Sequence, residues 1–155
     1  MGEHDVDRSE RALLVTLAAW SVGSTAAGAA CWAGGRDGRQ PVLAAFGRQF
    51  AGWGLVDGVI ATAGARSGRR ARLAGRRPEP ADRARRLRRI TAVNAVADVG
   101  YVAAGAALAR RAQRAARVGD GLAVVVQGLF LAWLDVRFTR RFGRLARTGD
   151  GGAAS

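Results

Sequence analysis

Apolar and charged positions segregate into long blocks along this chain. Between Arg11 and Arg36 run 24 residues without a charge, ALLVTLAAWSVGSTAAGAACWAGG. At about 1.5 Å per residue that is enough helix to cross a hydrocarbon core roughly 30 Å thick. A second block, 42–65, is broken by Arg48 and Asp57; a third, 90–109, carries Asp98 as its only charge; a fourth covers 119–136. Glycine and β-branched residues within these blocks do not argue against helix, because lipid forces the backbone to bond internally. The pattern predicts an all-α fold, a four-transmembrane-helix bundle with antiparallel helices at 12–35, 42–65, 90–109 and 119–136. One membrane domain covers 1–155, with a basic loop at 66–89 and a flexible tail at 145–155. A soluble bundle would need a polar outer face on every helix at the 3.6-residue period, and the first block offers only Ser and Thr.

Charge orients the bundle. All 25 basic residues are Arg, and 18 of them fall in the N-terminal segment, the 66–89 loop and the segment after the fourth block. Six lie in the two remaining connections. Basic loops stay on the cytoplasmic side, so both termini are expected there. The same imbalance disfavours insertion both ways up. The opening MGEHDVDRSER is acidic where a signal peptide would be basic, so the first block is read as a retained span. Arg in place of Lys, with abundant Ala and Gly, points to a GC-rich bacterial genome, and the expected location is the bacterial inner membrane.

The net charge of +13 and pI near 11.8 would fit nucleic acid in a soluble protein. Here the charge sits between apolar blocks, and no nucleic-acid partner is expected. Cys31 is alone and His4 is the only histidine. One chain therefore supplies neither a disulfide, nor paired imidazoles for haem, nor a His/Cys metal centre. No cofactor, metal or catalytic set is expected.

The candidate chemistry lies within the blocks. Asp57 stands nine residues before Arg66 and Asp98 nine after Arg89, while Gln127 stands ten before Arg137. All three fall at roughly 13–15 Å of helix depth. On the third helix Asn94, Asp98 and Tyr101 share a narrow stripe; on the second Gln49, Trp53 and Asp57 do; on the fourth Gln127 and Asp135 share one with Asp120. An Asp near mid-membrane costs about 2.5–3.5 kcal/mol on insertion scales and should face protein or water. If Asp57 and Asp98 meet, they are expected to share a proton. Arg48 is placed to neutralise Asp120. Two readings stay open: a site binding or transporting a small ligand or ion, and polar residues that only bond the helices to one another or to a membrane partner. Gly52, Gly54 and Gly58 form a candidate packing surface. Partners expected besides the bilayer are a second copy or another membrane subunit. The loop arginines, among them Arg69, Arg70, Arg76, Arg77, Arg85 and Arg86, are expected at anionic headgroups.

Asp57, Gly58 and Ala61 resemble the opening of the CDP-alcohol phosphotransferase motif. Thr62 stands where that motif has Arg, and its later Asp pair is missing, so its metal site could not form. The segments QFAGWGLVD (49–57), Asn94-x-x-x-Asp98-x-x-Tyr101 and QGLFLAWLD (127–135) together resemble a family of uncharacterised bacterial four-helix membrane proteins, over about residues 43–138. That resemblance implies the architecture and inward polar residues without naming a substrate.

Overall fold

The computed structural model describes residues 3–75 and 77–150, apart from the side chains of residues 149 and 150. Four helices account for almost all of them: α1 (Glu3–Gly35), α2 (Pro41–Leu73), α3 (Pro80–Arg110) and α4 (Ala115–Asp150). Three of them, α1, α3 and α4, are long and apolar enough to cross a membrane. In α2 the charges of Arg48 and Asp57 and the Arg-rich end interrupt the apolar run.

Each helix outruns its apolar block. The segment expected as a loop at 66–89 is helical to Leu73 and again from Pro80, leaving a connection of six residues. Pro80 does not break α3. It stands in the first turn, as Pro41 does in α2, where a missing N–H and a fixed φ favour helix entry. Two glycines in the left-handed region turn the chain between helices, Gly38 at φ 84° and Gly75 at φ 61°. The tail expected from 145 is helical as far as Asp150. Its remaining residues, 151–155, lie outside the described residues.

Small residues set the packing. A Cβ on Gly28 would strike the Ala51 backbone nitrogen, and one on Gly47 would strike that of Trp32, so α1 and α2 approach backbone to backbone. Gly105 and Gly121 do the same for α3 and α4: a Cβ on Gly121 would sit 2.6 Å from the Gly105 carbonyl oxygen. Gly119 seats α4 against Val42 of α2. Of the expected glycine surface, Gly54 and Gly58 abut Ser21, Ser24 and Thr25 of α1, whereas Gly52 faces open space. The helices thus form two hairpins, α1–α2 and α3–α4, joined chiefly where α2 meets α4; the backbones of α2 and α3 do not approach each other.

An apolar core of Leu17, Ala61, Leu134, Phe138 and Phe142 fills the end of the bundle nearest the α2–α3 connection, with Val6, Ala84 and Ala146 beyond it. Midway along, Trp20 stacks on Phe130 with ring centroids 3.8 Å apart. Many large aliphatic side chains point outward, Val22, Val59 and Val96 each at least 69% exposed.

Candidate functional site

The buried polar residues of the mid-bundle come from all four helices. Asp57, Asp98, Gln127 and Asp135 are each at most 8% exposed. Gln127 connects three helices: its amide oxygen accepts from the Trp20 indole at 2.9 Å, and its amide nitrogen donates to Asp57 Oδ2. The result is a chain of donors and acceptors from α1 through α4 to α2 in which each group has its complement. On the far side of Gly54, Ser21 donates to the Gly54 carbonyl at 2.7 Å.

Asp98 is arranged differently from the expectation. Its carboxyl lies beside that of Asp135 of α4. Asp57 is near enough for its charge to interact with that of Asp98, but its hydrogen bond goes to Gln127. The reason lies in the packing: the α2 and α3 backbones stay apart, meeting only through side chains such as Trp53 and Tyr101, while the glycine seam locks α3 to α4 and brings Asp98 opposite Asp135. Asp98 Oδ2 and the Trp53 indole nitrogen are buried without a hydrogen-bond partner. No arginine among the described residues pairs with Asp57, Asp98 or Asp135. Nor, among those residues, do three His, Cys, Asp or Glu side chains gather as a metal ion would require.

Trp53, Tyr101, Gln49 and Asn94 of the expected set sit at the rim, whereas Gln127 is central. Trp53 and Tyr101 meet edge to face, 5.8 Å between centroids, across the α2–α3 gap. Tyr101 is half exposed, Gln49 is half-buried, and Asn94 points outward instead of joining the acids. Arg48 bonds Asp120 at 3.3 Å as expected, on the surface.

A second polar assembly lies where the N-terminal turns of α1 meet the α2–α3 connection. Arg77 bonds Glu3 at 2.6 Å and Asp7 at 2.9 Å, while Arg83 bonds Asp7 and, at 2.8 Å, Glu10. Ser9 accepts from the Arg141 Nε at 2.7 Å, tying in α4. Burial pushes the Asp7 carboxyl up, but hydrogen bonds from Arg77 and Arg83 and their charges outweigh it and hold the group at about 2. The hydrogen bond to Asp7 in turn raises the Arg77 guanidinium. Nothing in the sequence pattern marked this clasp, because its partners are some 70 positions apart and follow no helical period. It removes Arg77 from the arginines free to meet headgroups, and Arg85 is bonded to Asp82. Arg76 lies outside the described residues. Arg69, Arg70 and Arg86 are exposed.

Residues 16–136 match the family of unknown function DUF6992, and the chain belongs to it. The match takes in Trp20, Asp57, Asp98, Gln127 and Asp135 and leaves out the acidic half of the clasp. No curated protein matches the chain, and no solved structure does.

Proposed function

We propose that this member of the DUF6992 family is a four-span protein of the bacterial inner membrane, with both termini in the cytoplasm, that binds a small monovalent cation or primary ammonium between Asp98 and Asp135. The placement of these two carboxyl groups side by side, with no basic side chain against either among the described residues, carries the reading. Two acceptors brought together away from water call for a positive species between them. Trp53 and Tyr101, beside the α2–α3 gap, offer ring faces of the kind that attract cations. Outward-facing valines support the membrane setting, since the apolar side chains of a bundle folded in water would turn inward. Three helices are apolar enough to span. The fourth span, α2, would carry Asp57 inside the bundle and leave exposed Arg48 to reach the interface.

The satisfied Trp20–Gln127–Asp57 chain favours a different role for Asp57, that of joining helices. The two roles separate by experiment. Thermal unfolding of the detergent-purified protein is measured with methylammonium chloride and with sodium chloride at matched ionic strength, for wild type, Asp98→Asn and Asp135→Asn. Saturating cation is expected to raise the wild-type midpoint by about 5 °C and to leave both variants unmoved at near-normal base stability. If no cation shifts the wild type and the variants fail to accumulate, the carboxyl pair only holds α3 to α4.

A further inference from the structure

A groove of about 390 Å³ runs between α1 and α2 at the end of the bundle that carries the clasp. Its floor is apolar, formed by Leu14, Ala18 and Ala61, and its rim carries Arg11, Arg66 and Arg72. The rim is unbalanced. Asp7 and Glu10 also border the groove, but both Asp7 oxygens and Glu10 Oε2 are taken by Arg77 and Arg83, leaving only Glu10 Oε1 toward Gly68, whereas Arg11, Arg66 and Arg72 have no carboxylate partner among the described residues. Three guanidinium groups without an ion pair among the described residues therefore stand over an apolar trough, against one free carboxylate oxygen of Glu10. Arg11 and Arg66 also bound the first two apolar blocks, so the rim lies at headgroup height if the membrane reading above holds.

From this we infer that the groove binds one anionic phospholipid, its phosphate held by Arg11, Arg66 and Arg72 and an acyl chain laid along the outward face of α1. Guanidinium forks suit phosphate oxygens in geometry and charge. The groove is too small for a whole lipid, and it continues onto the stripe of Val15, Ala18 and Val22. These residues share one helix face at three- and four-residue spacing, with Val15 60% and Val22 71% exposed. Gly64 keeps the trough open: a Cβ there would meet the Leu14 side chain first, at 2.9 Å. This set of arginines differs from the one the loop sequence singles out, and it is defined by which guanidinium groups the clasp leaves without an ion pair.

The test uses the full chain in detergent with dioleoylphosphatidylglycerol and dioleoylphosphatidylcholine in equal amounts, read by native mass spectrometry. Wild type is expected to retain one phosphatidylglycerol with at least a tenfold preference. Arg11→Gln/Arg66→Gln/Arg72→Gln and, separately, Gly64→Leu should bring the preference to within twofold. Gly64→Leu leaves every charge in place and its Cβ presses first on the flexible end of Leu14, so it decides the matter even if the triple variant does not fold. Arg69→Gln/Arg70→Gln/Arg89→Gln, with the same charge change elsewhere, should retain the preference. Equal retention of phosphatidylcholine by wild type, or an equal loss in the control triple, overturns the proposal as general charge attraction. Displacement by millimolar glycerol 3-phosphate overturns it in favour of a soluble phosphate ester. Recovery of wild type in the membrane fraction is scored separately, so failure of the membrane reading is distinguishable from failure of the lipid site.

Discussion

Asp7 turns the clasp into a pH-dependent contribution to stability. Its carboxyl falls from an ordinary value of 3.8 to about 2 on folding. A depressed acid stabilises the folded state above its unfolded value and loses that contribution as pH falls through its folded value. The contribution is therefore complete above about pH 4 and disappears toward pH 2, with a size of about 1–2 kcal/mol after solvent screening. Asp7→Asn is expected to be less stable than wild type at pH 6 by that amount and to converge with it near pH 2, as read by denaturant unfolding in detergent at a series of pH values. A constant gap between the two proteins across the series would remove Asp7 from this role. At the same scale, the common depth of Asp57 and Gln127 was legible from their distances to the flanking arginines, and the two side chains bond directly. The placing of Asp98 beside Asp135 was not, because depth along a helix says nothing of which neighbour it packs against.

Helices were legible as apolar blocks, but their ends were not. Arginine-rich sequence reads as loop to a hydropathy scale, yet Arg is a good helix former. Neither 66–73 nor 80–89 contains an internal proline, so both continue as helix, with Pro80 opening the second. Of the glycines singled out in the sequence, Gly54 and Gly58 do pack on α1, but backbone approaches at least as close fall at Gly28, Gly47, Gly105, Gly119 and Gly121, which no packing pattern distinguished. Gly47 is one that packing forbids to change: α1 backbone occupies the place of its Cβ. Gly47→Val should destabilise the bundle by about 2–3 kcal/mol through forced separation of α1 from α2. Gly52→Val, one turn and a half away and facing open space, should fall within about 1 kcal/mol of wild type. Comparing the two midpoints in denaturant checks the packing directly, and equal losses would mean that helix propensity, common to both changes, accounts for the effect.

On the scale of the molecule, the separation of the α2 and α3 backbones leaves the six-residue connection between them as the covalent tie between two hairpins, each held by its own glycine seam and sharing one apolar core. Continuity of the chain there is expected to be dispensable: the gene can be cut within codons 74–76, before Arg77, and expressed as two polypeptides. The fragments are expected to find each other through the α2–α4 face, the Gln127 bonds to Trp20 and Asp57, and the clasp, whose acids lie on the first fragment and whose arginines lie on the second. Co-purification of an untagged C-terminal fragment with a tagged N-terminal one, at equal stoichiometry, is the outcome to look for, and recovery of the tagged fragment alone would contradict it. A protein assembled in this way is a heterodimer that happens to be translated as one chain, and the association strength of its halves becomes a quantity that can be titrated.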